Sequence, residues 1–177
     1  MFRKRGRPTL VVLTGLPGTG KSTVANYVAS VLACPVFCKD QLEATLWRSG
    51  IDQKEKSGYA AYELLTTLAE EQLRHSQSAV LDSVATYARI RAGWFHLASE
   101  YGAVLRVIEC LCTDTGIHRA RLEQRQRGIR GWPEVAWEEI EQIRARYEPL
   151  DGDRLILDAV DPPDVNFARL DAYLLDE

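Results

Sequence analysis

Residues 9–23 read Thr-Leu-Val-Val-Leu-Thr-Gly-Leu-Pro-Gly-Thr-Gly-Lys-Ser-Thr. The β-branched run Thr9–Thr14 predicts a strand that stops at Gly15, and Lys21–Leu32 predicts a helix with Val24, Val28, Val31 and Leu32 on one apolar stripe. Between them, Gly15 to Ser22 matches G-x-x-x-x-G-K-[ST] in full. The strand–loop–helix context is what gives the match meaning. The glycines let backbone N–H groups turn inward around a phosphate, and the helix that starts at Lys21 adds its positive end. The Lys21 ammonium is suited to bridge β- and γ-phosphates, and the Ser22 hydroxyl to hold Mg²⁺. The chain is therefore expected to bind a nucleoside triphosphate. The candidate contacts are Gly15, Pro17, Gly18, Thr19, Gly20, Lys21, Ser22 and Thr23.

Working outward, apolar runs alternate with stretches of helical spacing, the pattern of βαβ units and a mostly parallel sheet. Further strands are predicted at Val36–Cys38, Ser78–Leu81, Val104–Leu111 and Leu155–Leu157. Helices are predicted over 41–47, 59–75, 88–101, 114–127, 135–147 and 166–174, with 49–58 as a polar loop. Arg106 and Glu109 are awkward in a strand buried on both faces. The 177 residues suit one domain, at roughly 150 residues per domain. The expected fold is α/β with five strands and helices between them.

Composition removes several function classes. Hydrophobic residues at 46% and charged residues at 27% describe an ordinary globular chain. The formal net charge of −3 argues against non-specific coating of nucleic acid or anionic membrane. No apolar run approaches the roughly 18 residues needed to span a bilayer. The Arg3–Arg7 stretch has the charge of a signal n-region, but no h-region follows, so a reducing cytoplasm is the expected location. Cys34, Cys38, Cys110 and Cys112 lack zinc spacing and are read as small apolar residues on buried strands. His75, His96 and His118 have no partner pattern, and the four tryptophans are read as core or lid packing.

Three further features carry chemistry. Asp40 follows the second strand at its carboxyl end, the edge where open α/β sheets bind ligands. It is placed either to accept the proton of an attacking hydroxyl or to cap the next helix. Asp82 ends the third strand and is suited to orient Mg²⁺ with Ser22, or again to cap. Arg119, Arg121, Arg125, Arg127 and Arg130 crowd beside Gly128 and Gly131 with no lysine among them. That run is either a solvated helix face or a mobile lid whose arginines meet the transferring phosphoryl group. Arg121 and Arg125, four apart, are expected on one helix face. No lysine follows an asparagine, so the N-K-x-D guanine loop is missing from the sequence.

From about Leu10 to Pro149 the chain resembles the small P-loop kinases of AAA type that include the kinase domain of phage polynucleotide kinase, chloramphenicol phosphotransferase and zeta toxins. The family's pattern is matched by Lys21 and Ser22, Asp40, Asp82 with Arg89, Arg121 with Arg125, and Trp-Pro-Glu-Val-Ala-Trp-Glu-Glu-Ile at 132–140. The resemblance implies a three-layer P-loop NTPase sandwich whose five parallel strands are ordered 2-3-1-4-5, with a small Arg-rich lid at about 114–134. It also implies ATP with Mg²⁺ and transfer of the γ-phosphate to a hydroxyl, with Lys21, Asp40, Arg121 and Arg125 catalytic and Ser22 and Asp82 at the metal. Three positions after the base, polynucleotide kinases carry an arginine that binds substrate phosphate, whereas this chain carries Glu43. The expected acceptor is thus a small-molecule hydroxyl. A polynucleotide 5′-hydroxyl kinase and a non-transferring ATP switch are the alternatives.

Overall fold

Alternation along the first strand divides the core into two layers. In β1 (Thr9–Thr14) successive side chains point to opposite faces of the sheet. Leu10 and Val12 join one apolar cluster with Leu65, Leu81 and Trp94, while Val11 and Leu13 join the other with Val28, Val80, Ile108 and Leu170. All eleven are fully buried. Each such side chain contributes about 1.5–3 kcal/mol on burial, so a strand buried on both faces must sit centrally.

The computed structural model describes residues 6–175, apart from the side chains of 54 and 55. After β1 come α1 (Lys21–Leu32), β2 (Val36–Cys38), α2 (Lys39–Arg48), α3 (Lys54–Arg74), β3 (Ala79–Asp82), α4 (Ala88–Glu100) and β4 (Val104–Leu111). The chain closes with α5 (Thr115–Gln124), α6 (Trp137–Ala145), β5 (Leu155–Asp158) and α7 (Pro163–Leu175). The five strands form one parallel sheet in the order β2-β3-β1-β4-β5, as the family resemblance implied. Leu13 pairs in register with Asp82 and Cys38 pairs with it from the far side, so β1, β2 and β3 end level at one edge. None of the helices is long and apolar enough to cross a membrane among the described residues. Of the basic Arg3–Arg7 stretch only Gly6 and Arg7 are described, and the Arg7 Nε donates to Gly102 O at 3.0 Å.

Several boundaries differ from the sequence reading, each for a physical reason. The third helix begins five residues early, at Lys54, because its polar first turn finds partners on α2: buried Ser57 donates to Glu43 Oε1 at 2.9 Å and accepts from Trp47 Nε1 at 2.8 Å. The second helix begins at Lys39, with Cys38 at its N-cap, so Asp40 sits inside the first turn rather than capping it. The seventh starts at Pro163, where a proline costs no hydrogen bond. The fifth and sixth are shorter than expected, ending at Gln124 and starting at Trp137. Glu109, awkward by sequence, forms an ion pair with Arg154 at 2.6 Å, and the Arg106 guanidinium lies 5.1 Å from the Tyr173 ring. The cysteines are not all buried strand residues: Cys110 is, Cys38 is a half-buried strand end, and Cys34 and Cys112 flank strands.

Candidate functional site

The loop after β1 is shaped by backbone before any side chain acts. Gly15, Gly18 and Gly20 take φ of 131°, 87° and 93°. A Cβ at Gly15 would stand 2.1 Å from Cys110 O, so only glycine fits there. Thr19 Oγ1 donates to Leu16 O at 2.8 Å and staples the turn. The Lys21 Nζ folds back to the same carbonyl at 2.8 Å, and burial holds its pKa below the ordinary lysine value. From the lid side, buried His118 on α5 donates through Nε2 to Pro17 O at 2.7 Å and meets Trp137 edge-on. Gly18 packs beneath His118 and Leu122, which explains the buried histidine as a strut between lid and loop.

Ser22 Oγ, at the start of α1, donates to Asp82 Oδ2 at 2.8 Å. Burial pushes the Asp82 carboxyl above its usual range, while the Lys21 charge and the Ser22 hydrogen bond pull it part of the way back. A hydroxyl and a carboxylate side by side are hard oxygen donors of the kind Mg²⁺ takes alongside phosphates and water. The two residues therefore fit a metal held mainly by the nucleotide.

Across from this pair, Asp40 faces the lid. Its carboxylate forms an ion pair with Arg127, whose Nε lies 3.1 Å from Glu134 Oε2, whose backbone N–H donates to Glu134 Oε1 at 2.8 Å, and whose Nη2 donates to Pro133 O at 3.1 Å. Arg125 Nε stands 3.4 Å from the same Glu134 carboxylate, and its Nη2 is buried with no hydrogen-bond partner. Burial foremost, and then the neighbouring Arg127 charge, hold the Arg125 pKa below the ordinary arginine value. An orphaned guanidinium nitrogen beside a phosphate loop awaits an acceptor. Arg121 Nη1 donates to Ala159 O at 3.0 Å.

Lys21, Ser22, Asp40, Asp82, Arg121 and Arg125 all line one cavity of about 740 Å³, together with Pro17, Gly18, Gly20 and Thr23. Gly15 and Thr19 lie beneath its floor as buried residues. The shared helix face expected for Arg121 and Arg125 is not found. Arg125 is the C-cap of α5, extended at φ −69° and ψ 132°, so it reaches the cavity from the loop instead. Arg89 does not stand beside Asp82 in the cavity: it is exposed, with its guanidinium 5.8 Å from the rings of Tyr59 and of Tyr87. Glu43 is also absent from the cavity wall. It is 2% exposed, ion-paired with Lys39, and its charge is met inside α2 and α3. The electrostatic argument against a phosphorylated acceptor loses its basis there.

Sequence reasoning missed Arg127 as the partner of Asp40 and Glu134 as the anchor for both lid arginines. Only their membership of the charged run was visible, since loop spacing carries no register. It also missed the roof. Trp132 packs on Trp47 with ring centroids 4.8 Å apart, and Arg48 Nη1 donates to Arg130 O at 2.6 Å, which docks the lid's second half on α2.

Fold and site together define a P-loop α/β protein with a phosphate cradle, an acidic strand end and a lid. The chain belongs to the AAA domain family AAA_33, whose model matches residues 10–150. It is similar in structure to a protein of Chloroflexus aurantiacus that carries a provisional kinase designation, at 21% identity and TM-score 0.76, with 97% of this chain and 100% of that one covered. It is also similar to a gluconokinase from Sinorhizobium meliloti 1021, at 17% identity and TM-score 0.69, covering 96% and 93%. A third is the Mycobacterium tuberculosis APS kinase in complex with AMPPNP and APS, at 18% identity and TM-score 0.69, covering 96% and 99%. No curated protein matches the sequence significantly.

Proposed function

We propose that the protein is an ATP-dependent kinase that transfers the γ-phosphate to a hydroxyl of a small molecule. The observation that carries the reading is the convergence of Asp40 with Lys21, Ser22 and Asp82 on one cavity, from three separate strand ends. A nucleotide-binding protein that only switches has no use for a carboxylate aimed at an acceptor position. In this reading the loop's backbone N–H groups and Lys21 hold the phosphates, and Asp40 takes the proton of the attacking hydroxyl. Arg121 and Arg125 neutralise charge on the transferring group, with 114–134 acting as a lid. Mg²⁺ near Ser22 and Asp82 would supply charge neutralisation on the phosphate oxygens.

The roof supports a small acceptor. Trp132 rests on Trp47 and Arg130 O accepts from Arg48, and this docking of the lid on α2, the helix that carries Asp40, favours a small acceptor over a strand. The gluconokinase and APS kinase folds accord with this. The test is an acceptor screen with labelled ATP across sugars, nucleosides, antibiotics, nucleotide-sugars and 5′-hydroxyl oligonucleotides. Label should pass to a small compound. Efficient transfer to the oligonucleotide would replace the substrate class, and hydrolysis without any acceptor would favour the ATP switch.

A further inference from the structure

Alternation along β3 sends its last residues to opposite faces of the sheet. Val80 belongs to the core layer of α1, and Leu81 to the layer of α3 and α4. Asp82 follows Val80 and meets Ser22 of α1 through its hydrogen bond. Ser83, the next residue, falls by the same alternation on the α3 side. That is also the side of α2, whose Leu42 packs on the same layer and whose first turn carries Asp40. Cys38 and Asp82 pair in register, so Asp40 and Ser83 lie just past adjacent strand ends. Both line the cavity of about 740 Å³.

Ser83 is 5% exposed, and its Oγ is buried with no hydrogen-bond partner. The loop that follows is tied down carbonyl by carbonyl. Val84 O accepts from Thr14 Oγ1 at 2.8 Å, Ala85 O from Arg91 Nη1 at 2.7 Å, and Thr86 O from Glu148 N at 2.9 Å. These bonds hold Ala85 at φ 52°, a strained conformation for a residue with a side chain. A loop so fixed cannot shift to find Ser83 a partner. A buried hydroxyl left in that state costs free energy until a ligand supplies the bond.

We propose, on the kinase reading above, that Ser83 selects the acceptor: its Oγ hydrogen-bonds the hydroxyl next to the one that Asp40 deprotonates. The acceptor is then a vicinal diol, the chemistry of sugars, polyols and ribonucleosides. A serine both donates and accepts, so it holds a neighbouring hydroxyl in either sense. A carboxylate or phosphate in that place would call for a cation instead. The cation turned toward Asp40 is Arg127, and it is already shared between Asp40 and Glu134. The metal-side pair, Ser22 and Asp82, lies on the other face of the sheet. An acceptor with a lone hydroxyl would leave Oγ unpaired, and a site built to bond a hydroxyl discriminates against its absence.

The experiment gives the full chain labelled ATP with D-ribose, myo-inositol, glycerol, uridine, 1,3-propanediol or 2′-deoxyuridine, within the wider acceptor screen. NMR of the product then locates the phosphate. Label should enter only at a hydroxyl whose adjacent carbon bears another hydroxyl. For whichever compound takes it, the analogue without that neighbour should show kcat/KM about tenfold lower, the scale of one neutral hydrogen bond. Ser83→Ala should bring the diol down to its analogue, with ADP affinity and melting temperature unchanged. Equal kcat/KM for compound and analogue in the unaltered protein would overturn the proposal, even if the variant failed to fold. So would label on a hydroxyl without such a neighbour. An equal loss on both members in Ser83→Ala would put Ser83 at the phosphates and overturn it as well. Failure of the underlying reading looks different: ATP is hydrolysed or left intact, and no compound takes label.

Discussion

The phosphate loop and the lid face each other across one cavity, yet they are held in place by opposite means. The loop is fixed by backbone and burial: three glycines at positive φ, Thr19 and Lys21 turned onto Leu16 O, and a carbonyl of β4 filling the space where a Gly15 side chain would be. The lid is fixed by exchangeable side-chain partners. Arg127 sits on Asp40 and Glu134, Arg125 leans on Glu134, and Arg48 holds Arg130 O. In the proposed reaction, a surface that would grip the same phosphates in every turnover gains from rigidity. One that would let an acceptor in and product out gains from bonds that can be traded for bonds to ligand. Substitutions should accordingly damage the two sides differently.

The largest expected effect is at the point where the two sides meet. Asp40→Asn keeps the shape of the side chain but cannot take a proton. Transfer to the acceptor identified in the screen should fall by about 10²- to 10⁴-fold, the usual scale for loss of a general base. ADP affinity and melting temperature should stay near those of the parent. Asp40 is not the cap of α2, so only its favourable charge in the first turn and its Arg127 pair are lost, about 1 kcal/mol. Transfer within a few-fold of the parent would leave the kinase without its base.

On the lid side, Arg125→Ala should lower kcat by on the order of 10²-fold while leaving the melting temperature unchanged. The reason is that Nη2 has no partner in the nucleotide-free protein and Nε stands 3.4 Å from the half-exposed Glu134, a pair that stabilises little. Arg125 therefore has little to lose there and much to supply to a developing phosphoryl charge. A variant that lost stability and kept kcat would mark Arg125 as structural. On the loop side the pattern should invert. Gly15→Ala forces a side chain into positive φ and onto Cys110 O, a backbone conformation that costs about 1–3 kcal/mol by itself. Thermal unfolding of the nucleotide-free protein should report that loss directly.

The same contrast sets how much could be read in the sequence. The loop was legible because its function is written in residue types at fixed spacing: glycines where φ is positive, then Lys21 and Ser22 at the head of a helix. The strand β1 and the edges at Cys38 and Asp82 follow from short apolar runs, which is why Asp40 and Asp82 could be placed at the site. The lid was legible only as charge. Arg125 leaves the helix that its spacing from Arg121 suggested, and Arg127 finds Asp40 across 87 positions of chain. Neither contact has a local signal. Glu43 misled for the opposite reason, since its partners Lys39 and Ser57 sit on two helices and cancel a charge that sequence alone leaves exposed.

The smallest expected effect tests whether the lid's ion pairs stabilise the protein at all, and pH is the way to see it. Burial works against the Glu134 charge, but the hydrogen bonds from Arg127 and the Arg127 and Arg125 charges outweigh it and leave the carboxyl below its ordinary value of 4.5. A carboxyl lowered in the folded state stabilises the protein at pH values above its unfolded pKa. That contribution is lost as pH falls through the lower, folded value. The unaltered protein should therefore lose melting temperature between about pH 5 and 3 more steeply than Glu134→Gln, which has no proton to take up at that site. The gap between the two should be widest near neutrality and close in acid. It should also be small, because Glu134 is half-exposed and pairs of that kind contribute at most about 1 kcal/mol. Parallel curves at every pH would mean that the Glu134 contacts position the lid without stabilising the fold. The comparison would then sharpen further, to a rigid loop and a lid whose bonds are nearly neutral until ligand arrives.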